Sequence, residues 1–158
     1  MRSKIVISFI IILIIVGIIC VFPLRYKVNT TLSGIHWINN DDSYSESVNI
    51  TIEGTYFRYL IRDNIFTGNM KISEKNSATS YKILKLIILK KLDFSPVLVW
   101  QNDKFEDIGI ISVDGVFDKV HINLMDKEHI RLSEENITAP ASDRNSAIDV
   151  VSKFRQNR

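Results

Sequence analysis

A mainly β fold of the α+β kind is predicted: an antiparallel sheet or sandwich of about seven or eight strands with one C-terminal helix, preceded by a single transmembrane helix. Three observations carry this. An apolar run opens the chain, hydrophobicity then alternates with a period of two, and the last segment returns to helical spacing. The 158 residues are 46% hydrophobic and 24% charged, with one cysteine, three prolines and six glycines. That suits one globular domain plus a greasy segment and excludes a disulfide scaffold, a collagen-like chain and a disordered polyelectrolyte.

Residues 5–24 are apolar except for Ser8, Gly17 and Pro23. As a helix, a run of that length reaches roughly 30 Å, the thickness of a bilayer core. A cleaved secretory signal is the alternative, but no A-x-A-like site follows the run, which also exceeds the usual apolar region of such signals. Cys20 follows Ile18 and Ile19, not the small residues that precede a lipid-modified cysteine. The expectation is therefore an uncleaved signal-anchor over residues 1–24 and a folded domain over residues 25–158. Arg2, Lys4 and the terminal amine outnumber Arg25 and Lys27 by one charge, which directs the domain out of the cytoplasm under the positive-inside rule. The absence of cysteine after residue 24 agrees with that compartment.

Of the 20 basic residues, Arg2 and Lys4 flank the apolar run, so 18 remain in the body against 18 acidic residues. A neutral body argues against nucleic acid as a partner, since phosphate binding needs a net cationic face.

The body then divides as follows. Lys27 to Leu32 alternates through Val28, Thr30 and Leu32, and residues 46–53 through Val48, Ile50 and Ile52. Both predict half-buried strands. The polar stretch from Asn39 to Ser47 between them is expected to be a loop. Thr55 to Ile61 is aromatic and β-rich, bounded by Gly54 and by the Arg62, Asp63, Asn64 turn cluster. Phe66 to Ser73 alternates again. In Tyr81 to Leu92 the lysines at 82, 85, 90 and 91 scatter round a helical wheel, so a central strand buried on both faces, with lysines as gatekeepers, is the better reading. Pro96 to Gln101 is the next strand, turned by Asn102, Asp103 and Lys104 into Asp107 to Val113. Asp114-Gly115 predicts a two-residue hairpin, because a type I′ turn needs positive φ at both central positions. Val116 to Met125 should then bury Val120, Ile122 and Leu124. After Pro140, Ser142 is expected to cap a helix with Asp143 in its first turn and Lys153 and Arg155 in its last. Ala147, Ile148, Val151 and Phe154 form its apolar stripe, expected to pack on the sheet. The chain shows no solenoid period and no second domain.

Four stretches in order, ITIEGTY (Ile50, Ile52, Gly54, Tyr56), FTGNMKI (Phe66, Gly68, Met70, Ile72), GIISVDGVF (Gly109, Ile110, Ser112, Asp114, Phe117) and ITAPASDRNSA, resemble a group of small, anchored, bacterial extracytoplasmic proteins of unknown function. The resemblance spans about residues 50 to 150. It implies a β-rich domain behind one N-terminal span and supplies no catalytic residue.

His36, His121 and His129 share no metal-ligand spacing, and no ectodomain cysteine accompanies them, so no metal is expected. His121 falls on the predicted wet face of its strand. No G-x-S-x-G elbow or phosphate-cradling glycine run occurs. The carboxylate pairs Asp41 with Asp42 and Glu134 with Glu135 lie in polar, loop-like sequence where they would be hydrated. Neither a catalytic residue nor a cofactor is therefore expected. Of the aromatic residues that core packing does not claim, Trp37, Tyr44 and Tyr56 are the candidate partner contacts, with Tyr59 and Trp100 behind them, since rigid rings serve glycan and peptide recognition. The sequence thus reads as a noncatalytic, single-pass module of the bacterial cell envelope. Its expected partners are the lipid bilayer through residues 5–24 and an envelope protein or glycan. The alternative is an envelope enzyme acting on wall or lipid-linked substrates.

Overall fold

The structure, a computed structural model, describes residues 2–90, 95–101, 104–126 and 131–156. The expected turn at Asn102 and Asp103, the end of the lysine-rich strand at Lys91 and Leu92, and His129 lie outside the described residues. Helix α1 (Arg2–Val21) is followed by β1 (Leu24–Ile38), β2 (Asp41–Arg58), β3 (Asn64–Ser73), β4 (Ala78–Ile88), β5 (Ser95–Gln101), β6 (Lys104–Asp114), β7 (Lys119–Asp126) and β8 (Arg131–Ala139), and then by α2 (Arg144–Gln156). The described side chains of α1, such as Ile7, Phe9 and Leu13, are exposed. Among the described residues no helix is long and apolar enough to cross a membrane. The helix ends at Val21 and Leu24 already belongs to β1, so the joint is two residues long.

Each strand pairs antiparallel with the next, and β1 returns to β8 through Ile35 to Ile38, which face Thr138 to Glu135. The architecture is thus one sheet curled into a nearly closed barrel, where the sequence left a flat sheet or a two-layer sandwich open. The described ladder between β4 and β5 is a single pair, Lys82 with Trp100. Alternation explains the interior: the inward sets from β1 to β8 meet in one cluster, with Ile50, Phe66, Val97, Val120 and Ile122 fully buried.

Curvature has a local cause on β2 and β3. Gly54 and Gly68 are cross-strand partners, and a Cβ on either would come within 2.2 Å or 2.1 Å of the opposite strand's carbonyl oxygen and within 2.9 Å of the Phe66 ring. One large ring thus fills the space two glycines leave, and the sheet bends around it.

Five expectations are corrected. Residues 46–53 and 55–61 do not form two strands, because Gly54 sits inside the continuous β2, which ends at Arg58. The expected loop from Asn39 to Ser47 is mostly strand: only Asn39 and Asn40 turn the chain, and β2 starts at Asp41. The β4 strand is buried on one face, not two. Ile83 and Leu86 point inward while Leu84 and Ile87 are 44% and 42% exposed. The three-residue spacing of the inward pair comes from a bulge, where Phe66 faces Leu86 and Gly68 faces Ile83, leaving one extra residue on β4. Asp114-Gly115 does not make a two-residue hairpin. Asp114 pairs with Lys119, the four residues 115–118 form the turn, and β7 begins at Lys119. Positive φ falls on Gly115 (62°) and on Phe117 (65°), whose ring turns inward to 2% exposure. Finally, Asp143, not Ser142, caps α2: its Oδ1 accepts the Ser146 backbone N–H at 2.8 Å, and Ser146 Oγ accepts the Asp143 N–H at 3.1 Å. Arg144 accordingly opens the first turn, and Val150 replaces the 43% exposed Ile148 in the buried stripe.

Glu134 and Glu135, expected in loop-like sequence, lie instead in β8, the strand that closes the barrel against β1. Outside the barrel, α2 lays Ala147 and Val151 on Ile35 and Trp37, residues of the outward face of β1. Trp37 Nε1 donates to Thr138 Oγ1 at 3.1 Å, and the Arg144 guanidinium lies 5.2 Å above its ring.

Candidate functional site

Two polar groupings occupy opposite ends of the barrel. The first is at the end where α1 joins. Here β2 and β3 are connected by residues 59–63 and β6 and β7 by residues 115–118, and between them opens a cleft of about 400 Å³. Ile88, Ile111 and Val113 supply its apolar wall, while Tyr56, Arg58, Asn64 and Lys90 supply its polar one. Phe117 seals the interior beside it, 6.2 Å from the Tyr56 ring and 4.7 Å from that of Phe66. Holding a phenylalanine at positive φ is unfavourable, and burying the ring between two others offsets it.

Tyr56 is 4% exposed, and its hydroxyl accepts from Asn64 Nδ2 at 2.8 Å. Burial holds this phenol above its ordinary range, against smaller opposing effects of Asn64 and Arg58. The connection 59–63 is held by polar contacts. Tyr59 N donates to Asn64 Oδ1 at 3.0 Å, Lys90 N donates to Asp63 Oδ1 at 2.9 Å, and Lys90 Nζ donates to the carbonyls of Tyr59 and Leu60. The Arg62 guanidinium lies 4.9 Å above the Tyr59 ring and donates to the Val21 carbonyl, the last residue of α1, at 3.1 Å.

The second grouping is at the opposite, distal end. His36 has the inward parity of Val28 and Leu32 on β1 and is 8% exposed. Its Nδ1 is 3.0 Å from Glu74 Oε1; since a carboxylate only accepts, Nδ1 carries the proton. Nε2 is 3.6 Å from Glu135 Oε2, beyond hydrogen-bond reach, and has no other partner among the described residues. Tyr44 meets the imidazole edge-on at 5.3 Å. Its phenol is held above its ordinary range by burial first and then by the charges of Glu46, Glu74 and Glu135. Chemically this is a buried imidazole between two carboxylates and a phenol, drawn from β1, β2, β8 and the β3–β4 connection. Among the described residues no group of three histidine, cysteine or acidic side chains could hold a metal ion.

The three aromatic residues singled out from sequence do not form one surface. Trp37 is covered by α2 and is 6% exposed, Tyr44 is half-buried at the distal end, and Tyr56 faces the cleft at the α1 end. Tyr59 lies under Arg62, and Trp100 lies in β5. The carboxylate pairs separate as well. Glu135 turns toward His36, Glu134 accepts from Asn39 Nδ2 at 2.9 Å, Asp42 pairs with Arg144 at 2.8 Å, and Asp41 is held below its ordinary range by hydrogen bonds from Ser43. His121, expected on a wet face, is half-buried with Nδ1 3.0 Å from Thr138 Oγ1. The His36 grouping is missed from sequence because its members are scattered along the chain; the parity of His36 within β1 was the available signal. Comparison with known proteins finds no matching family model, no matching curated protein and no matching solved structure.

Proposed function

We propose that this chain is a noncatalytic binding or accessory module of the bacterial cell envelope, anchored through the apolar sequence of residues 5–24 and carrying its barrel outside the cytoplasm. The supporting observation is the joint: only Phe22 and Pro23 separate the apolar helix from β1, so a membrane-embedded α1 would confine the barrel to the lipid surface and raise its effective concentration for membrane partners. The side-chain-filled interior leaves recognition of an envelope protein or glycan to the outer surface and rims of the barrel.

The test uses the full chain with a C-terminal tag. The tag should be lost when intact cells are treated with protease, and the chain should stay in the membrane pellet through alkaline carbonate. Full-length protein in a high-speed supernatant without detergent overturns the anchor, and a tag cleaved only after lysis overturns the orientation.

A second reading, an envelope enzyme acting on wall or lipid-linked substrates, is favoured by the convergence of His36, Tyr44, Glu74 and Glu135. It requires that membranes carrying the chain turn over wall fragments or lipid-linked precursors and that His36→Gln abolish this while leaving the fold intact.

A further inference from the structure

The outer surface of the barrel is unevenly apolar. Of the large apolar side chains exposed on the barrel, Leu24, Leu60, Ile61, Leu84 and Ile87 lie toward the α1 end and Leu132 toward the other, with Leu60 and Ile61 the most open at 66% and 72%. Lys90 and Asn64 hold the backbone of the 59–63 connection and Arg62 stacks on Tyr59, while Leu60 and Ile61 are left outward. A shallow groove of about 670 Å³ continues from Ile61 over Ile65 and Ile87, edged by Arg62, Lys85 and Lys90. Apolar residues of this size beside three cations and the single carboxylate of Asp63, which accepts from the Lys90 N–H, are unusual for a surface that meets only water.

Charge is segregated in the same sense. Among the described residues, Arg25, Lys27, Arg58, Arg62, Lys85, Lys90 and Lys119 stand toward the α1 end against Asp63, Asp114 and Asp118. Asp41, Asp42, Glu46, Glu74, Glu106, Asp126, Glu134 and Glu135 stand toward the distal end, where Lys71, Lys75, Lys104, Arg131 and Arg144 only partly balance them. The neutral total hides a barrel with one basic, greasy end and one acidic end.

We infer that the α1 end is a second membrane contact: Leu60 and Ile61 insert among the headgroups of an anionic bilayer while Arg62 and Lys85 meet lipid phosphates. This rests on the reading of α1 as the membrane span. Continuity chooses the bilayer over a protein as occupant, because Arg62 bonds the last carbonyl of α1 and so sets the 59–63 connection at the depth where that helix would leave the lipid. Apolar tips flanked by arginine and lysine fit that interface, where the cations meet anionic lipid and the hydrocarbon enters the acyl boundary. Two contacts would fix the tilt of the barrel and hold its acidic end outward.

The experiment uses the full chain in vesicles of phosphatidylcholine with and without phosphatidylglycerol. Cys20 is replaced by serine, and one nitroxide is attached at Ile61→Cys, at Leu60→Cys or, as a distal control, at Asn40→Cys. Collision with dissolved oxygen should exceed collision with an aqueous nickel chelate several-fold at 60 and 61, with the reverse at 40, and the contrast should grow with the anionic lipid. Aqueous behaviour at 60 and 61 in carbonate-resistant chains overturns the inference while leaving the anchor standing. Spin–spin broadening at 61 overturns it by assigning the patch to a second copy. Loss of the chain from the vesicles in carbonate overturns the anchor itself.

Discussion

The two ends of the barrel solve the same problem, finishing a curled sheet, with opposite chemistry. The α1 end is sealed by an apolar plug: Phe117 folds back from the β6–β7 turn onto Tyr56 and Phe66, and the outward residues left over are greasy or basic. The distal end is closed by polar side chains, with His36 between Glu74 and Glu135 inside and Arg144 clamping the β1–β2 turn outside. The Arg144 guanidinium donates to the carbonyls of Ile38 (2.7 Å), Asn39 (3.0 Å) and Asp41 and pairs with Asp42. An apolar plug draws its stability from area removed from water, and of its three rings only the Tyr56 phenol titrates, in alkali. A polar closure depends on every partner being present in the right protonation state.

The comparison breaks most readily at the plug. Phe117→Ala should cost about 3 to 5 kcal/mol of unfolding free energy, read from denaturant midpoints, because the ring leaves a cavity that Tyr56 and Phe66 cannot fill. A loss under about 1 kcal/mol would mean that the turn, not the ring, seals this end. At the other end, Arg144→Ala should cost about 2 to 3 kcal/mol and loosen α2 and the β1–β2 turn together in hydrogen exchange, since it removes charge-assisted bonds from a largely buried guanidinium. Arg144→Lys should recover little, because one ammonium cannot serve that fan of carbonyls. Next comes His36→Gln, expected to cost about 1 to 2 kcal/mol by leaving Glu74 and Glu135 without the buried imidazole.

Alkaline titration sharpens the contrast further. Tyr44 is pushed above the ordinary tyrosine value of 10.0, so the unfolded chain ionises first. Its contribution to stability is therefore present below pH 10.0 and lost as pH rises through the folded value. Tyrosinate absorbance should show two late-ionising phenols, Tyr44 and Tyr56, of which Tyr44→Phe removes one. The smallest effect is expected at the surface pair on the α1 end. The Lys119 ammonium, 2.7 Å away, holds the Asp114 carboxyl below 3.8, and Asp114 in turn raises Lys119 above 10.5. The depressed aspartate contributes above pH 3.8 and loses that as pH falls through its folded value; the raised lysine contributes below pH 10.5 and loses that as pH rises through its own. Asp114→Asn should lower the melting temperature slightly at neutral pH, and the difference should vanish in acid and shrink in high salt.

Parity was legible wherever the strands run regularly. Val48, Ile50 and Ile52 on β2, and Val120 and Ile122 on β7, are buried as their alternation requires. It failed where a bulge shifts the count, at Ile83 and Leu86, and where a strand carries little apolar sequence, as in β8, whose Leu132 is exposed and whose buried Asn136 bonds the Glu134 carbonyl. The turn after Asp114 was located but not its form, because the inward pull on Phe117 comes from Tyr56 and Phe66, residues far from it in sequence. The contact between His36, Glu74 and Glu135 had no local signal beyond the parity of one histidine.

The sequence by itself determined the class of the molecule: an apolar leading helix, alternating strands and an amphipathic tail. Those are periodicities, and each residue's neighbours along the chain suffice to express them. Only the tertiary structure decided that one sheet curls until β8 meets β1, that histidine and glutamates converge at one rim, and that a neutral composition separates into a basic end and an acidic end. These follow from which strands become neighbours, and that is fixed by burying all the inward faces together.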